Sequence, residues 1–278
     1  PGTRRPSMTF IYDLVFDAAP ATVDTSYLPR LRKAARSAIQ HSTLIGVISE
    51  SVEHELNARY PETVGRTVLI RPGPTTFPQV TAATSARVLG AHGLTPGYLL
   101  HVGTLEPRKN LARLVRAIAS LPAPLVADRP LVLVGPDGWA SRDLEVALEA
   151  VPGRWRRIPF VDDAELRVLY DHAAVAVTPS IYEGFGLPLL EAMSLGVPVA
   201  CSAIPVFEEV AQGSAATFDP TDQDSIADTL ERLLSDGDRL AVLGEAGRRR
   251  AEAFDWDTSA DALLDAVAGL ARERAPAA

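Results

Sequence analysis

From Tyr98 onward, short and mostly apolar runs alternate with longer segments whose apolar positions recur at helical spacing. The runs near 98–102, 131–135, 155–158, 174–177 and 198–201 read as strands, since a brief apolar run bounded by Gly or Pro suits a strand buried on both faces. The clearest helical stripe between them is Leu111, Leu114, Val115, Ile118 and Leu121, which fall on one side of a 3.6-residue period. Strand–helix alternation of this kind builds right-handed βαβ units around a parallel sheet. The fold class expected is therefore α/β.

Residues 10–70 carry a thinner version of the same pattern: strand-like Phe10–Tyr12, a helix around 27–40, a strand at Leu44–Ile48, a helix from Ser49 to Ala58 and a strand at Thr67–Ile70. Pro72, Gly73, Pro74 and Pro78 interrupt regular structure. The expected organisation is a partial N-terminal domain over 1–72, a linker over 73–96 and a second domain over 97–254. A last amphipathic helix over 255–278 packs back toward the N-terminal domain. Its stripe is Ala260, Leu263, Leu264, Val267 and Leu270, with Asp255 or Asp257 as N-cap. Two or three strands bury too little surface to stand alone, so the N-terminal part is expected to be an excerpt of a longer domain.

Composition narrows the function classes. The chain has 278 residues, 47% hydrophobic and 22% charged, as a globular protein does. Its longest apolar runs, such as Pro130–Val134 and Ala173–Val177, fall far short of the roughly 20 residues that span a bilayer. The opening PGTRRPSM lacks the apolar core of a secretory signal, and one cysteine cannot pair within the chain, so a cytoplasmic setting is expected. With 27 basic against 35 acidic residues the net charge is −8, an unfavourable field for nucleic acid. The local exception is Arg30-Leu-Arg-Lys-Ala-Ala-Arg36. It reads as a basic helix face with Leu31, Ala34, Ala35 and Ala38 opposite: either a solvated face or a contact with anionic lipid at the inner membrane surface.

Two segments carry candidate chemistry. In Tyr182-Glu-Gly-Phe-Gly-Leu-Pro-Leu-Leu-Glu191 a strand gives way to a helix through Gly184 and Gly186, which permit close backbone approach, and Pro188 suits a first helical turn. Exposed amides and the positive end of a helix dipole there can hold a diphosphate. The carboxylates Glu183 and Glu191 are better matched to sugar and ribose hydroxyls than to phosphate. In Leu100-His-Val-Gly-Thr-Leu-Glu-Pro-Arg-Lys-Asn110 a strand ends at Gly103, and Asn110 is placed to cap the following helix. Arg108 and Lys109 would oppose that helix's dipole unless an anion binds between them; the alternative is neutralisation by Glu106 or Asp137. Gly135-Pro-Asp-Gly138 ends the next strand and lines the same cleft or forms an ordinary turn.

Together these strings resemble the GT-B family of retaining glycosyltransferases that includes bacterial mannosyl- and glucosyltransferases. The specific elements are Glu183 and Glu191, separated by seven residues within EGFGLPLLEAMSLGVPV, and GTLEPRKN. The resemblance implies two Rossmann-like domains and transfer of a hexose, with a lean to mannose, from a GDP- or UDP-sugar to a glycan or lipid-linked acceptor without metal or other cofactor. It places Glu183 at the donor sugar, Glu191 at the ribose, and Arg108 and Lys109 at the pyrophosphate. The amides of Gly103, Phe185, Gly186 and Leu187 meet the phosphates and sugar, and Thr104, Gly135 and Gly184 are assigned to donor binding. It puts the nucleobase against Phe160, Val161 and Leu166, although Asp162 or Asp163 could equally cap a helix there, with Leu166 and Leu169 in the core.

Where family members often carry His-Asp, this chain has Tyr12-Asp13; Asp13 is assigned to the acceptor side and no histidine to catalysis. His41, His54, His92, His101 and His172 show no metal-like grouping, and Cys201 reads as a small buried strand residue. Two other readings stay open, a nucleotide-sugar-binding module without transfer and a sugar-nucleotide epimerase. A pyridoxal phosphorylase is disfavoured because Lys33 and Lys109 are the chain's only lysines.

Overall fold

The computed structural model describes residues 6–139 and 142–272. Residues 273–278, the end of the expected C-terminal helix, lie outside the described residues. In chain order the elements are β1 (Met8–Ile11), α1 (Val15–Ala18), α2 (Leu28–His41), β2 (Leu44–Val47), α3 (Glu50–Arg59), β3 (Thr67–Leu69), α4 (Ala82–His92), β4 (Tyr98–Val102), α5 (Leu111–Ser120), α6 (Ala123–Val126), β5 (Leu131–Val134) and α7 (Arg142–Glu149). They continue with β6 (Trp155–Ile158), α8 (Asp163–Asp171), β7 (Ala173–Thr178), α9 (Leu187–Ser194), β8 (Val199–Ser202), α10 (Pro205–Ala211), β9 (Ala216–Phe218), α11 (Gln223–Leu234), α12 (Gly237–Ala251) and α13 (Trp256–Arg272).

The chain forms two compact units. The described residues of Pro1–Pro74, Tyr182–Gly186 and Phe254–Ala278 make unit 1, and Thr75–Ile181 with Leu187–Ala253 make unit 2. Unit 1 holds a three-stranded parallel sheet in the order β1-β2-β3. Its core joins Ile11, Leu14 and Phe16 to Ile39 of α2, Ile45 and Val47 of β2, and Val52 and Leu56 of α3. α13 belongs to the same unit: its Ser259 hydroxyl donates to the Arg71 carbonyl, and its Trp256 indole donates to Pro74 O at 3.1 Å.

The expected α2 stripe is rotated. Ala35 and Ile39 are buried, while Leu31 and Ala34 face solvent. Covering the sheet needs the line through Leu28, Ala35 and Ile39, which turns Arg32 toward Asp17, where its guanidinium pairs at 2.8 Å. The solvent side of α2 therefore mixes exposed Leu31 with Arg30 and Lys33.

Unit 2 is built on a six-stranded, all-parallel sheet in the order β6-β5-β4-β7-β8-β9. Parallel strands covered by helices on both faces read as continuous apolar runs. β5 is accordingly Leu-Val-Leu-Val, buried throughout. One face is covered by α5, whose buried Leu111, Leu114, Val115 and Ile118 meet Leu99, Leu133 and Val175 of the sheet. Each such side chain contributes roughly 1.5–3 kcal/mol relative to exposure. From β4 the chain proceeds to β5 on one side, and the later strands add on the other, so the topological switch lies between β4 and β7. In open parallel sheets, ligands bind at the carboxyl ends of the strands at that point.

Candidate functional site

The turn leaving β4 and the turn leaving β5 are packed together by glycine. Gly103 (φ 149°) and Gly135 (φ 138°) both lie in the region that favours glycine. A Cβ on Gly135 would stand 2.3 Å from the Gly103 carbonyl oxygen, a separation no side chain tolerates. Gly138 is also crowded, though less so, its Cβ position 2.9 Å from both Leu105 O and the Thr104 methyl. The backbone is bound across this contact by Gly103 N–H to Val134 O at 2.8 Å and Leu105 N–H to Pro136 O at 3.1 Å. Two main chains are thus brought side by side at the ends of β4 and β5.

Beyond Leu105 the chain makes a single 3-10 turn over Pro107–Lys109 and then enters α5. Glu106 is buried and pairs with Arg108 at 2.5 Å, so the alternative of an acidic neighbour is realised for Arg108 by Glu106, whereas Asp137 pairs with Arg157. Lys109 is only 6% exposed. Its ammonium lies 3.5 Å from where a Gly103 Cβ would be, which puts a buried cation against the glycine turn. Asn110 takes the N-cap position but not the expected role. It adopts the left-handed conformation (φ 57°) and makes no capping hydrogen bond. Its amide instead donates to Pro179 O at 3.1 Å and Pro220 O at 2.8 Å, and its oxygen accepts from Arg113. Asparagine tolerates that conformation, and two loop carbonyls gain a donor in exchange, the Pro220 one alongside Arg113, which donates to it at 2.7 Å. The Ile181 amide donates to Arg108 O at 2.9 Å. The loop after β4 is therefore fastened to the loop after β7.

Glu191, in α9, is buried and accepts one hydrogen bond at each oxygen within unit 2. Its Oε1 accepts from Thr75 Oγ1 at 2.6 Å and its Oε2 from the Tyr170 hydroxyl at 3.0 Å. Burial raises its carboxyl above the usual range; the two hydroxyl contacts lower it, and the charge of Asp163 adds to the rise. Tyr170 is held by burial and by Glu191 well above an ordinary phenol, so it remains a donor.

Tyr182–Gly186 lies in unit 1. Gly184 faces the β1 exit, where a Cβ would stand 2.1 Å from Tyr12 O and 3.1 Å from Asp13 Cβ. Its carbonyl accepts from Ser49 Oγ at 2.8 Å. Phe185 meets Phe254 edge-on, centroids 5.8 Å apart, and Gly186 has φ 96°. Asp13 accepts from its own turn, Val15 N–H to Oδ1 at 3.1 Å.

A family model described as glycosyl transferases group 1 matches residues 89–250, more than half of the chain. The chain belongs to the glycosyl transferases group 1 family. An O-antigen chain mannosyltransferase B of Escherichia coli is 38% identical over 172 residues, covering 61% of this chain and 45% of that protein. A serotype-specific mannosyltransferase WbdA of Escherichia coli is 33% identical over 178 residues, covering 62% and 22%. The match thus spans less than half the length of these relatives. Among solved structures, a sucrose-phosphate synthase from Thermosynechococcus elongatus superimposes with a TM-score of 0.74 at 27% identity, over 96% of this chain and 67% of that one. The fold is the α/β, parallel-sheet fold of GT-B glycosyltransferases.

Within this group 1 glycosyltransferase, unit 2 brings Gly103, Thr104, Arg108, Lys109 and Gly135 together at the ends of β4 and β5. Glu191 and Leu187 stand on α9. Phe160 and Val161 follow β6; Phe160 is 83% exposed, the most exposed large apolar side chain among the described residues. Leu166 is half-buried, Leu169 is fully buried, and Asp162 caps α8 by accepting from Glu165 N–H at 2.8 Å. The helix-capping alternative and the core position of Leu169 are thus both realised there. Glu183–Gly186 and Asp13 are neighbours within unit 1. Burial, with Glu208 adding, pushes the Cys201 thiol up to about 12, which fits an inert strand residue.

Sequence reasoning missed Asn110 as a clamp and missed Thr75 and Tyr170 as partners of Glu191. Among the described residues no helix is long and apolar enough to cross a membrane.

Proposed function

We propose that this chain is the donor-binding part, with a portion of the acceptor side, of a retaining hexosyltransferase. It moves mannose from GDP-mannose, or a related hexose from a GDP- or UDP-sugar, to a glycan or lipid-linked acceptor. The carrying observation is the glycine-built turn pair at Gly103 and Gly135, with Lys109 buried against it and Arg108 one residue away. A turn of main chain next to two cations, at the carboxyl end of β4 beside the switch point of a parallel sheet, is suited to a diphosphate. The mannosyltransferase relatives support the choice of sugar.

On this reading residues 97–254 hold the donor and residues 1–72 face the acceptor. The chemical problem is charge developing on the departing nucleoside diphosphate. Arg108 and Lys109 sit where they stabilise it, which is catalysis by preorganised electrostatics. Glu191, with its proton affinity raised by burial, accepts from the ribose hydroxyls. Glu183 does the same for the donor sugar, and the amides of Gly184, Phe185, Gly186 and Leu187 supply neutral donors to sugar and phosphate. Phe160, Val161 and Leu166 take the base. No metal or other cofactor is called on, since the two side chains and the amides carry the charge. The exposed basic side of α2 rests on anionic lipid, which would keep a lipid-linked acceptor near the enzyme.

The test is a turnover assay of the protein with GDP-mannose and with UDP-glucose, reading nucleoside diphosphate release and the anomeric configuration of the product. Release of GDP with the donor's configuration kept is the expected result. An inverted product contradicts the retaining mechanism, and absence of release with either donor contradicts transferase activity of this chain.

A further inference from the structure

The segment that carries Glu183 is fixed in unit 1 by a side chain to which the functional reading gives no task. Tyr182 places its hydroxyl between two elements: it accepts from the Leu14 amide at 2.8 Å and donates to Glu55 Oε2 at 2.8 Å. Leu14 immediately precedes α1, and Glu55 lies in α3, where its other oxygen accepts from Arg59 at 3.0 Å. Two residues after Tyr182, the Gly184 carbonyl accepts from Ser49 Oγ, which itself accepts from Val52 N–H at the start of α3. The Gly184 backbone in turn abuts Tyr12 and Asp13. Glu183 is therefore bracketed by two anchored neighbours, and the anchors end on the β1 exit, the middle of α3 and its N-cap.

Burial, and the nearby charges of Glu55 and Asp13, hold the Tyr182 phenol far above its ordinary value; the Leu14 amide acts the other way. The hydroxyl keeps its proton throughout the physiological range, so it can donate to Glu55 continuously but cannot serve as a base. Its chemistry is that of a fixed link.

We infer that Tyr182 is a positioning residue, whose bridging hydroxyl holds the backbone of Glu183 against the Tyr12–Asp13 turn. The inference rests on the role proposed for Glu183. With the link intact, the Glu183 carboxylate is presented from one backbone geometry; without it, the segment loses this anchor while the Ser49 contact, the Gly184 packing and the Phe185–Phe254 contact stay. The effect is expected on the reacting geometry more than on donor affinity, because the charged contacts assigned to the diphosphate, Arg108 and Lys109, and the ribose contact assigned to Glu191 lie outside the anchored segment.

The test uses the full chain with Tyr182→Phe, which keeps the ring and deletes the hydroxyl, and with Glu55→Gln, which keeps an acceptor for it. Two readouts are taken: kcat and KM for the donor, and amide hydrogen exchange. Tyr182→Phe is expected to lower kcat by about 10- to 100-fold, the scale of a misplacement of roughly 1 Å, while donor KM stays within about threefold. Exchange is expected to quicken at 12–15 and 182–186 alone, and Glu55→Gln should stay close to wild type in both readouts. An unchanged kcat, a KM rising in step with the loss of kcat, or quickened exchange throughout unit 1 overturns the inference. If the wild-type chain turns over no donor, the transferase reading fails by itself. The exchange readout then decides whether the hydroxyl holds this segment, and unchanged exchange at 182–186 refutes it.

Discussion

Thr75 donates its hydroxyl to Glu191 Oε1 at 2.6 Å, tying the first residue of unit 2 to a carboxylate in the first turns of α9. With Tyr170 on the other oxygen, the carboxylate is held in one orientation. Each oxygen retains lone-pair capacity for a further donor, so a ribose hydroxyl can be accepted without breaking either contact.

Holding a carboxylate there costs stability at neutral pH. Burial raises the folded-state value of Glu191 above its ordinary 4.5, so the folded protein binds the proton more tightly than the unfolded chain does. Stability is therefore greatest with the proton on and falls as pH rises through the window above 4.5. Glu191→Gln is expected to raise Tm at about pH 7 relative to wild type, with the gap closing toward about pH 4, while nucleoside diphosphate binding weakens. Calorimetric melts across that range check it. A variant less stable than wild type at neutral pH contradicts the account.

Gly135→Ala is expected to destabilise more than Gly153→Ala. Both glycines have positive φ, 138° and 79°, which costs a side chain about 1–3 kcal/mol. A Cβ at Gly153 meets nothing within 4 Å, whereas at Gly135 it collides with the Gly103 carbonyl. Urea denaturation should show the larger loss for Gly135→Ala, with nucleotide affinity falling as well because the displaced main chain belongs to the turn beside Lys109. Equal losses would mean that the close approach of the two turns has no energetic weight.

Much of unit 2 was legible because its strands are buried on both faces. β4 falls at its expected bounds, Tyr98–Val102, and β5 to β8 fall within a residue of theirs. β9 was missed because it is three residues long and its middle residue, Thr217, is exposed, leaving no apolar run. The glycine motifs were recognisable as turns, but their partners were not. Gly135 packs on Gly103 and Gly184 on Tyr12, contacts fixed only by strand order and tertiary approach. The same holds for Asn110, whose carbonyl partners at Pro179 and Pro220 are 69 and 110 residues away. Local capping logic favoured the N-cap, and the tertiary contacts won. Tyr182 went unassigned for that reason too, since Leu14 is 168 residues distant.

The solvent side of α2 gives a prediction about surfaces. Leu28–His41 contains no acidic residue, and exposed Leu31 lies among exposed Arg30 and Lys33, with exposed Tyr27 just before the helix. A basic residue near an anionic surface contributes about 1 kcal/mol. Arg30→Glu with Lys33→Glu is therefore expected to lower partition onto phosphatidylglycerol vesicles by at least about tenfold, and high salt should lower wild-type binding too. Equal sedimentation of wild type with neutral phosphatidylcholine vesicles contradicts an electrostatic contact.

The most direct test of the donor site is calorimetric titration of GDP and UDP into wild type and into Arg108→Gln with Lys109→Met, which keep unbranched side-chain stems and remove both cations. Charge-assisted contacts are worth about 1.5–3 kcal/mol each. Wild type is expected to bind a nucleoside diphosphate. The double variant, whose melting temperature is lowered because Glu106 loses its Arg108 partner, is titrated below that temperature and is expected to bind it about 100-fold more weakly or worse. Equal affinity in the two proteins, or no binding of either nucleotide by wild type, would contradict the donor-site assignment.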